Sequence, residues 1–156
     1  MSTAVGDTIS IKHVLENWGA NVIRLFCLSG HYSKVIDYSE EMLKENLIKW
    51  RQVETCYYEL IHAESENQEK NNQNIEKIGM EFDDALESDF NTHLALSACF
   101  QLVKETNRLA AEEKLTKESA RIIKKEFERM TNILGLVIPE MTQEKKQAID
   151  DLIQNR

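Results

Sequence analysis

Residues 40–63 read EEMLKENLIKWRQVETCYYELIHA, and in them Leu43, Leu47, Trp50, Tyr57 and Ile61 recur at the spacing of one helix face. Met42, Val53, Cys56 and Leu60 flank that stripe, and neither glycine nor proline interrupts it. The stretch predicts the longest helix of the chain, about Glu40 to Ala63. On its N-terminal side Ser10 can cap a short helix, IKHVLENW, which Gly19 stops. ANVIRLFCLS follows, apolar on nearly all sides through Val22, Ile23, Leu25, Phe26 and Leu28, so it is expected to be buried rather than half-solvated, and Gly30 ends it. On the other side, ESENQEKNNQN (64–74) has no apolar residue and predicts an exposed loop.

The same pattern continues toward the C-terminus. A helix of about Ile75 to Glu87 presents Ile78, Phe82, Ala85 and Leu86. LESDFNTHLAL then breaks and restarts it, with Asp89, Asn91 and Thr92 all suited to an N-cap before a helix over His93–Glu112. Thr116 opens another helix, with Ile123, Phe127, Met130 and Leu134 on one face and Gly135 as its stop. Pro139 and Thr142 separate it from a last short helix ending at Arg156. No β-type alternation and no internal repeat is visible. The fold class is all-α, an antiparallel helical bundle.

At 156 residues, 42% hydrophobic and 29% charged, the chain is long enough for one ordinary core, and its single proline and five glycines favour long helices. No run approaches the ~20 apolar residues of a membrane span, and no signal peptide pattern opens the chain. Cys27, Cys56 and Cys99 are far apart inside apolar runs, which fits buried free thiols in a reducing cytosol and lacks zinc-site spacing. A net charge of −8 argues against a generic nucleic-acid or DNA binder, though it permits an RNA contact on a local basic face.

The junction LSGHYSKVIDYSEE (28–41) gathers His31, Tyr32, Asp37, Tyr38 and Ser39 and invites a nucleophile reading. It lacks the strained Gly-rich elbow and backbone donors that such chemistry needs. Asp37 or Ser39 reads better as the N-cap of the long helix, with Asp37 and Glu40 spaced as a capping box, and both tyrosines would keep their hydroxyls in water. His13, His31, His62 and His93 lie in separate elements without metal-ligand spacing. The acidic run EFDDALESD (81–89) lacks the offsets of a calcium loop. Lys114, Lys117, Arg121, Lys124, Lys125 and Arg129 are interleaved with Glu112, Glu113, Glu118, Glu126 and Glu128, the pattern of paired charges on an exposed helix. Intrinsic chemistry is absent, and the residues alone lead to a helical binding or positioning domain.

Particular strings carry more. RLFCLSGHYSKVIDYSEEML resembles the segment that follows the catalytic domain in cysteinyl-tRNA synthetases, where Arg-x-Phe-x-Leu and His-Tyr precede a Tyr-Ser that opens a long helix. ANVIR resembles that family's Asp-Ala-Leu-Arg element, with Arg24 at its arginine. ALESDFNTHLALS resembles its Asp-Phe-Asn-Thr-Pro string: Asp89, Phe90, Asn91 and Thr92 match, and His93 stands where proline is usual. A proline there would occupy the first helical position, which places the expected cap at Thr92. KETNRL (104–109) fits as well. Met1, Ser2, Thr3 and Ala4 resemble the tail of the Lys-Met-Ser-Lys-Ser loop that steadies ATP phosphates in class I synthetases, with threonine at the second lysine and alanine at the second serine.

The resemblance implies an ATP-dependent cysteine–tRNA ligase whose catalytic domain, with its HIGH motif, ATP site and cysteine-binding zinc, lies upstream of Met1. Residues 1–40 would be the end of the signature loop and a stem-contact segment; residues 41–156 would be the anticodon-binding helical bundle. The implied partners are tRNA(Cys) and the upstream catalytic domain, with no membrane and no DNA, in the cytoplasm. The chain itself would hold no cofactor, no metal and no catalytic residue. Arg24, His31, Tyr32, Tyr38, Ser39, Asp89, Phe90, Asn91 and Thr92 would serve tRNA contact or interdomain packing. Met1 falling inside the signature loop, and IDDLIQNR (149–156) resembling the beginning of the family's final segment, imply a truncated piece of a longer enzyme. Two competing readings are the related ligase that joins cysteine to an amino-sugar inositol, and a free-standing helical interaction module.

Overall fold

The computed structural model describes residues 10–65 and 72–138. Six helices form among them: α1 (Ile11–Trp18), α2 (Ala20–Leu28), α3 (Glu40–Ile61), α4 (Asn72–Glu87), α5 (Thr92–Ala111) and α6 (Lys117–Ile133). The described residues contain no strand, only an isolated bridge between Ser65 and Thr116. The all-α expectation holds. The predicted last helix and residues 1–9 lie outside the described residues.

Helix ends follow the local chemistry. The Ser10 hydroxyl accepts from the His13 N–H at 3.2 Å, and Gly19, at φ +79°, stops α1 by donating to the Leu15 carbonyl at 3.0 Å. Thr116 and Ser119 form a reciprocal capping box, each hydroxyl accepting the other's N–H, at 3.1 and 2.9 Å. After α6, Gly135 at φ +67° allows the Gly135 and Leu136 N–H groups to donate back to Asn132 and Thr131, a closure only a left-handed residue permits.

Of the two candidates for the α3 cap, Ser39 takes the role: its backbone is extended and its hydroxyl takes the Met42 N–H at 3.2 Å, whereas Asp37 lies two residues too far upstream. The α5 cap differs from the expectation. Asn91, not Thr92, caps α5, because its carboxamide reaches the Leu94 N–H at 3.2 Å; Thr92 becomes the first helical residue and His93 the second. The predicted loop 64–74 is shorter, since α4 begins at Asn72. Polar residues suit a first turn, whose N–H groups have no intrahelical partner.

One buried cluster joins the helices, with Val22 and Leu25 of α2, Leu43, Trp50 and Val53 of α3, Phe82 of α4, Leu102 of α5 and Phe127 of α6 among its members. The buried line of α3 runs Leu43, Asn46, Trp50, Val53, Cys56 and Leu60. It is displaced from the predicted stripe, leaving Leu47 and Tyr57 at its border. Helix α2 is also less enclosed than expected: only Val22 and Leu25 are fully buried, and Cys27 is exposed. Its partners cover one side only, so an all-round apolar sequence is half-solvated. Cys56 and Cys99 are buried as expected, and burial pushes both thiols up to about 12.

The mixed charges of α6 pair as the spacing implied. Arg121 meets Glu118, Lys124 meets Glu128, and Arg129 bridges Glu126 on its own helix and Asp83 on α4 while lying over the Phe82 ring. Arg129 thereby fastens α4 to α6.

Candidate functional site

The His-Tyr and Asp-Phe-Asn-Thr strings meet in space. The Tyr32 hydroxyl donates to Asp89 Oδ1 at 2.8 Å, and His31 Nε2 lies 3.9 Å from Asp89 Oδ2. The His31 and Tyr32 rings stack with centroids 4.5 Å apart. The bond to the Asp89 carboxylate, which favours the protonated phenol, raises the Tyr32 pKa above its usual 10.0. The Tyr32 hydroxyl is therefore held by Asp89 rather than left to water as predicted. That connection needs a tertiary approach which local sequence does not encode.

The turn carrying Asp89 is bent sharply. Asp89 and Phe90 have φ of +58° and +49°, and the Phe90 and Asn91 N–H groups donate to Leu86 and Ala85 at the end of α4. A left-handed phenylalanine is strained, and this one is 70% exposed rather than buried. Asn91 follows as the α5 cap. His93 Nδ1 then donates to the Ser29 carbonyl at 2.8 Å, tying the start of α5 to the end of α2. Tyr38 packs edge-on against Phe26, and Ser39 starts α3.

This places His31 beside Ser33 and Asp89, a different trio from the His31, Asp37 and Ser39 weighed in the sequence. His31 Nδ1 is 2.8 Å from the Ser33 hydroxyl and also accepts the Ser33 backbone N–H at 3.3 Å. An accepting Nδ1 puts the ring proton on Nε2, toward Asp89. At 3.9 Å that contact is too long for a hydrogen bond, and Asp89 is largely in water. The geometry makes a hydrogen-bonded turn, without the close base–orienter contact of a nucleophilic site.

Arg24 lies apart from this junction. It donates through Nη1 to the Gly135 carbonyl, and its guanidinium lies alongside Gly135, with Nε 3.4 Å from where a Cβ would stand. Asn21, not singled out in the sequence, closes a two-way pair with Val137: its amide donates to the Val137 carbonyl at 2.6 Å and its oxygen accepts the Val137 N–H at 3.0 Å. Asn21 and Arg24, three apart on α2, bind the chain after α6. Their helical spacing was legible; the partner segment was not. Met1, Ser2, Thr3 and Ala4 lie outside the described residues. Among the described residues, no group of three or more His, Cys, Asp or Glu is placed to hold a metal ion, and no helix is long and apolar enough to cross a membrane.

Residues 81–138 match the DALR domain family, from the second half of α4 to the segment held by Asn21 and Arg24. Over its whole length the chain is similar to cysteine–tRNA ligases. It is 30% identical over 164 aligned residues to that of Bacillus cereus (strain G9842), covering 100% of this chain and 35% of that protein. The enzyme of Caldicellulosiruptor saccharolyticus is 29% identical, covering 96% of this chain and 32% of its own length. That of an Exiguobacterium strain is 28% identical, covering 100% and 35%. This chain thus spans about a third of the length of the curated relatives it matches. The resemblance read from the His-Tyr and Asp-Phe-Asn-Thr strings stands.

Proposed function

We propose that this chain is a tRNA-binding portion of a cysteine–tRNA ligase, which orients tRNA(Cys) for ATP-dependent cysteinylation at an active site carried elsewhere in the enzyme. The observation that carries this reading is similarity to cysteine–tRNA ligases along all of the chain, including a DALR domain at residues 81–138. Residues 1–40 serve as the stem-contact segment and 41–156 as the anticodon-binding bundle. The shared core at Val22, Leu25 and Leu43 and the link between Tyr32 and Asp89 support a fixed relation between them. Such a portion accelerates the reaction by orientation, without supplying a reacting group. ATP and zinc belong to the catalytic domain, and the chain alone is inactive.

Filter binding of the chain to tRNA(Cys) and to tRNAs of other specificity tests this reading, with aminoacylation assayed alongside. Weak, salt-sensitive binding that prefers tRNA(Cys), with no cysteinyl-tRNA formed by the chain alone, is the expected result, since the net charge of −8 opposes phosphate. Absence of any tRNA binding overturns it.

A further inference from the structure

Helices α3 and α5 leave a groove of about 550 Å³ between them, within the range of small-molecule and nucleotide sites. Besides Ser29, His93 and Ser97, its polar lining has two matched pairs: Lys49 and Gln52 on α3, and Lys104 and Asn107 on α5. Each pair is spaced three residues apart, so a cation and an amide face the groove from either wall. Leu96 and Phe100 supply an apolar floor. No Asp or Glu lines it.

Three observations bear on what this groove could hold, and the convergence of two lysines without a carboxylate is the first. The chain is strongly acidic, and Arg108, Arg121, Lys124 and Arg129 each face a carboxylate of the same chain. Neither Lys49 nor Lys104 is ion-paired among the described residues. The Asn107 carboxamide oxygen has no hydrogen-bond partner, a costly state that a turn of the amide toward the groove it lines would let a ligand N–H relieve. An apolar floor, two free cations and an unfilled acceptor match the flat face, the phosphates and the amino edge of one base, respectively.

We propose that the groove between α3 and α5 receives a single unstacked nucleotide of the bound RNA, its phosphates at Lys49 and Lys104 and its base edge at Asn107. This rests on the tRNA-binding reading and adds to it a location and a chemistry. The amides supply the edge selectivity, and the lysines supply two positive charges that converge on one groove.

The test is fluorescence-anisotropy titration of the 156-residue chain with a tRNA(Cys) transcript over a range of salt. Circular dichroism confirms that each variant is folded; Lys49 and Lys104 are exposed, so their replacement leaves the core intact. K49Q/K104Q should weaken binding about tenfold at low salt and make the log–log salt slope shallower by about 1.4, the value for two single-strand phosphate contacts. N107L should weaken binding with the slope unchanged. The control K44Q/K125Q, two exposed lysines outside the groove, should match the parent chain. If the parent chain binds no tRNA, both this inference and the tRNA-binding reading fall. If it binds and the groove variant behaves like the control, the groove assignment alone falls. Displacement of the tRNA by equal concentrations of polyglutamate would make the occupant an acidic polypeptide and overturn the nucleotide.

Discussion

Helix α5 borders two grooves of opposite character. Toward α3 it meets Lys49 and Gln52 and presents Phe100, Lys104 and Asn107. Toward α4 it meets Glu81 and Asp84 across a smaller groove of about 340 Å³ and presents Leu94, Ala98 and Gln101. Ser97 borders both. Along this one helix, Lys104 with Lys49 of α3 makes one face positive and Glu81 and Asp84 of α4 make the other negative, and the overall charge of −8 describes neither. A net charge bounds long-range behaviour, while a binding site is set by which few charges converge.

The buried row of α5 supports both grooves at once, so the largest effect is expected there. Leu102 is fully buried, and L102A should cost about 2–5 kcal/mol, read as a lower urea midpoint, with α3 and α4 losing amide-exchange protection together. Loss of protection on one side alone would mean that the two faces are held independently.

Alkaline pH offers a one-sided perturbation. Cys56 of α3 and Cys99 of α5 are protonated up to about 12 in the folded chain, against an ordinary value of 9.0. Between those values the folded chain retains protons that the unfolded chain has released. The stability these thiols contribute is therefore complete below pH 9 and lost as pH rises toward 12, at a limiting slope of about 1.4 kcal/mol per pH unit for each thiol. Urea unfolding across that window should show the decline, and C56A/C99A should flatten it. Protection should fade first between α3 and α5.

The smallest expected effect lies at the junction where α5 begins. D89N removes the carboxylate that holds the Tyr32 phenol, so the Tyr32 pKa should fall back toward 10.0. Ultraviolet titration, with Y32F identifying the band, measures this. The melting temperature should barely move, because Tyr32 is exposed and its bond faces water. A large loss of stability would make the junction a structural anchor equal in weight to the grooves.

Helix positions were legible because each follows from neighbours a few residues away. Apolar spacing marks the buried faces of α5 and α6, Ser10 and Thr116 mark starts, and Gly19 and Gly135 mark stops. The cap expected at Thr92, and the choice left open between Asp37 and Ser39, mark the limit of the same local logic: several capping residues stood side by side, and only the realised backbone chose Ser39 and Asn91. The His-Tyr and Asp-Phe-Asn-Thr strings were legible as words, and their meeting was not. Lys104 carried a faint signal, having no carboxylate three or four positions away. Lys49 carried none, with Glu45 one turn before it.

By itself the sequence determined an all-helical chain and the ends of most helices, because short-range hydrogen bonding and 3.6-residue periodicity are written residue by residue, and its strings carried the resemblance to cysteine–tRNA ligases. The tertiary structure alone decided that Tyr32 answers Asp89, that Asn21 and Arg24 hold the segment after α6, and that α2 stays half-solvated. It also decided that two unpaired lysines share one groove while two carboxylates share the next. Each of these joins residues from separate elements, and which elements become neighbours is settled by burying one common core.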